Sequence, residues 1–321
     1  MKKTFFVTLL MVFASVMAFA NGTTESANEY PQKGIQFIVP YSAGGGTDSL
    51  MRLLTAAMEP ELGQKIIVNN KSGGAGQVGL TSLSAAKPDG YTIGALSNLD
   101  HILVLLTGEN VSYDYDSFEY LGAINTTANV LLSNDKTGFK TLEDFITYAK
   151  ANPGNITVSV SGKTHVAEAA MFEKAAGIDI TTVMQGGGGD SLNALLGGHV
   201  DCAILDKKFI AQVEGQGIST LATFAGERLS VISDVPTMKE SGYDIDSETY
   251  RVIVAPKGTP QEIKDKITET LRKVTDSTFQ DKMTNMNEIY RFLDQTQVKE
   301  RLDSNYEAMK ALVDENPSMF N

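Results

Sequence analysis

Short apolar runs recur along the chain at Ile35–Val39, Ile66–Val68, Thr92–Leu96, Thr157–Val160, Ile180–Met184, Cys202–Leu205, Thr220–Phe224 and Val252–Ala255. They are too short for helices and rich in β-branched residues, so they predict buried strands. Between them, apolar positions fall at helical spacing over Thr47–Leu62, Gln77–Ala86, Leu142–Ala151, Val166–Ala176, Ser191–Leu196 and Gln261–Val274. The helix from Gln261 follows Thr259-Pro260 and carries Glu262 in its first turn, where proline is tolerated and an acid suits the helix dipole. A last amphipathic helix is predicted from Asp294 to Asp314, with Val298, Leu302, Tyr306, Met309 and Val313 along one side. Strand–helix alternation of this kind predicts an α/β fold, with parallel strands and crossover helices on both faces of the sheets. No internal repeat, low-complexity tract or long linker interrupts the pattern. A second domain must therefore be an insertion reached by short crossings.

The first residues follow a different rule. Lys2 and Lys3 precede an apolar run from Phe5 to Phe19, and Ala18-Phe19-Ala20 has the small–x–small form of a cleavage site. This reads as a secretory signal peptide over residues 1–20, cut before Asn21, with 21–29 a polar flexible leader. The run is shorter than the ~20 apolar residues of a spanning helix, and no later segment approaches that length. The predicted location is periplasmic, without direct membrane insertion. The remaining chain exceeds the ~100–200 residues of a usual domain, which predicts two lobes. A net charge of −12, two units more negative once Lys2 and Lys3 are removed, disfavours nucleic acid and anionic membrane. Any anionic ligand must then be held by local donors against the global field. Cys202 is the sole cysteine and lies in an apolar run, as a small buried hydrophobe would.

Candidate chemistry concentrates in the turns that end the strands. Ile35–Val39 runs into Pro40-Tyr41-Ser42-Ala43-Gly44-Gly45-Gly46-Thr47-Asp48, which opens a helix. Helix N-termini present unpartnered N–H groups with partial positive charge, and glycines let a ligand approach the main chain. No lysine follows the glycines, so this is not a Walker-type nucleotide loop. The turn suits a carboxylate-sized group, or is a plain strand-to-helix turn. Gly73–Gly76, Ser159–His165 and Gln185–Asp190 repeat the same logic. Ligands in open α/β sheets bind beyond the carboxyl ends of the strands, so loops from both halves of the chain can converge on one polar cleft.

Catalytic readings are poorly supported. There is no G-x-S-x-G elbow, and His101, His165 and His199 lack metal-ligand spacing among themselves or with Cys202. The glycines miss the dinucleotide-binding spacing, so no cofactor, metal or catalytic residue is assigned. Asp48 can be a first-turn helix acid or an acceptor for a ligand hydroxyl or ammonium. Arg251 can be a carboxylate partner or a solvated strand-end charge.

With these residues in view, the chain resembles the extracytoplasmic solute receptors of tripartite tricarboxylate transporters, often called the Bug or TctC family. The resemblance rests on Tyr30–Ile35 with Val39–Asp48, Leu62-Gly63-Gln64 with Val68–Gly76, Lys87–Thr92, Leu195–Asp201, Asp234–Thr237 and Ala255–Pro260, in that order. It implies a two-lobed periplasmic binding protein of type II-like α/β architecture with a ligand cleft between the lobes. Residues 30–123 and 223–321 would form one lobe and 124–222 the inserted other. It further implies a receptor, not an enzyme, that captures a di- or tricarboxylate, an acidic amino acid or an aromatic acid. The partner would be the membrane permease of a tripartite transporter. A periplasmic sensor presenting its closed form to a signalling partner would carry the same features.

Carried over by motif, the carboxylate pincer is the turn holding Tyr41, Ser42, Ala43, Gly44, Gly45, Thr47 and Asp48. From the other lobe come Ser161, Thr164 and His165, and Gln185, Gly186 and Gly187. Ser97 and Asn98, Asp206 and Arg251 complete the candidate set. Two departures affect the ligand. Val183-Met184-Gln185 stands where the family commonly has Pro-Tyr-Lys, and Tyr250 stands for a common tryptophan before the Arg251 strand.

Overall fold

The computed structural model describes residues 30–275, 277–286 and 288–320, so the predicted signal peptide (1–20) and leader (21–29) lie outside the described residues. The first strand, β1 (Ile35–Val39), is buried at every position but Gln36 and delivers the chain into the glycine turn. That turn opens α1 (Gly46–Leu62), which stops at Gly63, whose left-handed φ of 66° lets its N–H return to Glu59 O. Then come β2 (Ile66–Asn70), α2 (Gln77–Ser84), β3 (Thr92–Ser97), α3 (Asn98–Thr107) and β4 (Phe118–Thr127).

The middle of the chain supplies β5 (Asn129–Asn134), α4 (Leu142–Ala151), β6 (Thr157–Val160), α5 (Gly162–Ala176), β7 (Thr181–Met184), α6 (Gly188–Gly197), β8 (Cys202–Asp206) and β9 (Ile218–Thr223). The last part returns as β10 (Thr249–Pro256), α7 (Gln261–Val274), α8 (Ser277–Asn285), β11 (Ile289–Leu293) and α9 (Gln295–Glu315).

These strands form two sheets, in the orders β11-β4-β10-β3-β1-β2 and β7-β6-β8-β5-β9. Each is mixed, a correction to the expected parallel arrangement. β1 pairs parallel with β2 and β3, and β6 with β7 and β8. β10 runs antiparallel to β3 and β4, and β5 antiparallel to β8 and β9. Each antiparallel pair includes a strand next to a crossing between the sheets, and the edge strand β11 runs antiparallel to β4 as well. β4 leaves the first sheet and β5 enters the second with Ala128 alone between them. Ile124–Thr127 thus belong to the first sheet, and the crossing falls four residues beyond the expected boundary. The strands β4, β5 and β11 and the helix α3 were absent from the apolar-run reading. β4 is almost wholly buried, but Gly122, Asn125, Thr126 and Thr127 break its apolar pattern.

One apolar cluster, with Phe37, Leu50, Leu54, Ile253 and Ile267, fills the first lobe under α1 and α7. Leu132, Leu195, Ala203 and Leu205 pack the second. The largest cluster runs through both, from Leu96 and Ile102 to Phe145 and Phe172, and includes Val298, Leu302, Met309 and Leu312 of α9. The C-terminal helix was expected wholly in the first lobe. Its long apolar stripe instead carries it across, and Lys174 of α5 pairs with Glu315 at 2.6 Å.

His101 of α3 is buried among Tyr113, Tyr115 and Phe118, with ring centroids 5.7 Å from Tyr113 and Phe118. Neither ring nitrogen has a partner among the described residues. Burial pushes its pKa down from 6.5 to about 4, so the folded protein holds it neutral where the unfolded chain would protonate it. Its contribution to stability is therefore present above pH 6.5 and is lost as pH falls towards 4, by at most about 3 kcal/mol. His101→Phe should raise the thermal midpoint and flatten its fall across that window, measured by calorimetric unfolding; an unchanged acid profile would show that the imidazole is not the titrating group.

Candidate ligand-binding cleft

The carboxyl ends of β1 and β3 face those of β6, β7 and β8 across a cavity of about 450 Å³. The first lobe contributes Tyr41 and Thr47 from the two ends of the glycine turn, Ser97 at the end of β3, Asp100 in the first turn of α3, and Thr249 and Arg251 of β10. The second contributes Ser161, Thr164 and His165 at the start of α5, Gly188 and Gly189 at the start of α6, Asp206 at the end of β8, and Lys208 and Phe209 after it. The crossing residues Thr127, Ala128 and Asn129 complete the lining.

Asp100 draws hydroxyls from both lobes. Tyr41 donates to its Oδ2 at 3.2 Å and Thr164 to its Oδ1 at 3.4 Å. Tyr41 in turn accepts the Ser97 N–H at 3.3 Å. Burial raises the Asp100 pKa, against the pull of the Tyr41 hydroxyl and the Arg251 charge. Burial, then the Asp100 charge, also raises the Tyr41 hydroxyl well above its usual range, so it stays a neutral donor.

Arg251 lies opposite Ser97 in the β10–β3 register. Its backbone N–H donates to Asn125 Oδ1 at 3.1 Å and its Nε to Thr47 Oγ1 at 3.4 Å. Nη1 is buried with no partner among the described residues. A cationic N–H removed from water without an acceptor is costly, and a ligand oxygen would relieve that cost.

His165 Nδ1 accepts the Ser161 N–H at 3.2 Å, which places the proton of the neutral ring on Nε2 as a donor. Burial lowers its pKa to about 4, against the opposing charge of Asp206, so the ring is neutral near pH 7.

The helices α1, α5 and α6 begin at this cavity with N-caps Gly45, Ser161 and Gly187, none of which makes a side-chain capping bond. Their first-turn N–H groups can meet an anion. Phe209 packs closely over Gly188, where a Cβ would meet its Cε2 at 2.8 Å and the ring would have to shift.

The predicted residues divide. Tyr41, Thr47, Ser97, Ser161, Thr164, His165, Asp206 and Arg251 are brought together on the cavity wall. Ser42, Ala43, Gly44 and Gly45 are solvent-exposed and lie off it. Asp48 is buried behind the turn, where Gly44 N, Arg52 Nε and Asn70 Nδ2 donate to it at 2.8, 3.0 and 2.9 Å. Burial opposes its charge, but these bonds outweigh burial and lower its pKa. Asn98 is engaged with Glu248 O, Tyr250 N and Asn305. Gln185, Gly186 and Gly187 stop short of the wall, which begins one residue later at Gly188.

Asp206 accepts Lys208 N at 2.8 Å and the Thr127 hydroxyl at 3.3 Å, so it caps its own loop and ties it to the crossing. Sequence reasoning missed Asp100, Thr127, Asn129, Lys208, Phe209 and Thr249. Asp100 stood three residues past the β3 strand end as a first-turn acid, the one signal that pointed to it.

A family model for the tripartite tricarboxylate transporter family receptor matches residues 50–316. The chain belongs to this family. It is 31% identical over 252 residues to the UPF0065 protein in the gbd 5′ region of Cupriavidus necator, covering 78% of this chain and 77% of that one. It is 29% identical to protein BugT of Bordetella pertussis, covering 74% and 75%. A solved TctC solute binding protein from Polaromonas superposes with a TM-score of 0.82 at 26% identity, covering 89% of this chain and 99% of that one. At the level of the fold alone, the chain also resembles MatC of Rhodopseudomonas palustris with bound malate, at 24% identity and TM-score 0.68. A second R. palustris protein, solved with adipate, stands at 23% and 0.68.

TctC receptors are periplasmic solute-binding proteins, not enzymes. Among the described residues no helix is long and apolar enough to cross a membrane, and no group of side chains has the makings of a metal site. In this TctC receptor the cleft rests on Glu168 of α5, which is fully buried and accepts Asn129 Nδ2 at 2.8 Å and the Ser247 hydroxyl at 2.7 Å. Burial raises its pKa from 4.5 to about 8, against those two bonds.

The folded protein therefore keeps a proton that the unfolded chain loses. Stability from this group is full below pH 4.5 and falls, at about 1.4 kcal/mol per pH unit, up to about 8. Glu168→Gln, which keeps the shape and removes the titration, should flatten the alkaline fall of the unfolding midpoint. Equal slopes in both proteins would mean that Glu168 is not held neutral.

Proposed function

We propose that this chain is an extracytoplasmic solute receptor that captures a small carboxylate between its lobes and delivers it to the permease of a tripartite tricarboxylate transporter. Export through the cleavable signal peptide of residues 1–20 would place it there. The observation that carries the reading is Arg251 Nη1, buried at the cavity and without a partner among the described residues. A guanidinium matches a carboxylate in charge and geometry. The uncapped starts of α1, α5 and α6 and the Nε2–H of His165 supply neutral donors around it. The fold neighbours solved with malate and adipate hold carboxylates, in agreement with this class. Arg251 and Lys208 are offset on the wall by Asp100 and Asp206, which favours a ligand carrying hydroxyl or amino groups beside its carboxylate.

Ligand contacts from both lobes would bind the closed form better than the open one, and that difference is what shifts a hinge equilibrium. The test is a thermal-shift screen with citrate, malate, succinate, glutamate, aspartate and nicotinate, each against its uncharged amide. Ligand at 100 times its Kd adds about 2.7 kcal/mol. An acid should raise the midpoint where its amide does not.

Calorimetry with Arg251→Ala should then show binding weakened about 10- to 100-fold, the worth of a hydrogen bond to a charged group. Unchanged affinity would remove Arg251 from the site.

A further inference from the structure

Beside the cleft lies a second cavity, of about 910 Å³ against about 450 Å³. It follows α3 away from Asp100. Leu103 and Val104 of that helix and Phe320 from the C-terminal turn make its apolar wall, while Thr107, Gln77 and Lys163 stand around it as polar lining. The two cavities share Asp100, Ser161, Thr164 and His165.

Among these shared residues the Thr164 hydroxyl meets Asp100 Oδ1 at 3.4 Å, beyond the usual range for such a bond. Side chains of opposite lobes are thus joined there by one weak hydrogen bond. Lys163 Nζ donates to Thr107 Oγ1 at 2.9 Å across the same lobe boundary. Lys163 is exposed, and the apolar wall of Leu103, Val104 and Phe320 presents no cation. A second carboxylate would find no buried partner there, whereas an aliphatic or aryl chain would leave water.

We propose that this chamber is a tail subsite, where a monocarboxylate with its head at Arg251 threads an apolar chain between Asp100 and Thr164 onto Leu103, Val104 and Phe320. The subsite rests on the receptor reading of the cleft and extends its ligands to acids with an extended apolar body. Short polyacids would occupy the cleft alone.

The test is calorimetric titration of the purified protein with butanoate, hexanoate, octanoate and phenylpropanoate, with malate and succinate as cleft-only controls. Affinity should climb from butanoate to octanoate by roughly fourfold per methylene buried. Thr107→Phe and Gln77→Phe each fill the chamber from a different element and touch none of the cleft lining. Each should abolish the gain for octanoate and phenylpropanoate and leave the binding of the short acids unchanged, with unfolding midpoints confirming that both variants are folded.

A flat series in the unaltered protein overturns the subsite, as does octanoate binding that survives both fillings. Binding of malate, succinate or butanoate alongside such a result keeps the cleft reading. Failure of every acid to bind brings down the cleft reading itself.

Discussion

A carboxyl group with no exposure to solvent holds the two lobes in register. Glu168 accepts from Asn129, the first residue of β5 where the chain enters the second sheet, and from Ser247, two residues before it returns in β10. Both crossings are thus tied to one side chain of α5. The same helix, one turn earlier, sends Thr164 and His165 to the cleft wall. A buried carboxyl tolerates this only when it is neutral or well bonded, and here burial raises its pKa against the opposing pull of the two hydrogen bonds that satisfy its oxygens. Beside it Glu248, also fully buried, takes Tyr250, Arg291 and Arg301 and accepts Asn98 at its carbonyl. The seam between the lobes is a polar network, which demands particular geometries where an apolar contact would tolerate slippage.

Much of this fold was legible in the periodicity. The strands at Ile35–Val39 and Thr157–Val160 and the helices at Leu142–Ala151 and Gln261–Val274 lie within the bounds that their apolar spacing defined. What escaped was the seam. β4 and β5 carry Asn125, Thr126, Thr127, Asn129, Ser133 and Asn134 as buried polar residues, so an apolar-run criterion passes over them. Their polarity is the mark of the crossing. Asn125 receives the Arg251 N–H, Thr127 binds Asp206 and Asn129 binds Glu168. The missed cleft residues follow from the missed strands, because Thr127, Asn129 and Thr249 line the cavity only when the crossing is known to run beneath it.

The glycine turns show the complementary limit. Their composition indicates helix N-termini that can accept an anion, but not which end of a turn faces it. In Tyr41–Asp48 the glycines are exposed, and the cavity is met by the flanking Tyr41 and Thr47. Asp48 is spent on the turn itself, held by Gly44, Arg52 and Asn70. At the other loop, the ring of Phe209 packs against Gly188 where a Cβ would stand. Local propensity sees neither contact in full, since Asn70 and Phe209 lie more than twenty residues from Asp48 and Gly188.

The charge arrangement sets the terms on which an acid can be held and let go. The chain carries −12 overall, so the long-range field opposes a carboxylate and gives no electrostatic steering towards the site. Within the cleft, Arg251 and Lys208 are offset by Asp100 and Asp206, which leaves no net positive charge to retain an anion once water returns. Retention in the proposed mechanism must come from short-range donors in a desolvated space, where a hydrogen bond to a charged group is worth about 1.5–3 kcal/mol. Those donors are divided between the lobes, with Arg251 and the start of α1 on one side and His165 and the starts of α5 and α6 on the other. Opening would separate the two sets and rehydrate the carboxylate in one motion, so release needs no proton transfer and no competing ion. A site with a surplus of fixed positive charge would bind more tightly in the open form and surrender that coupling between closure and affinity.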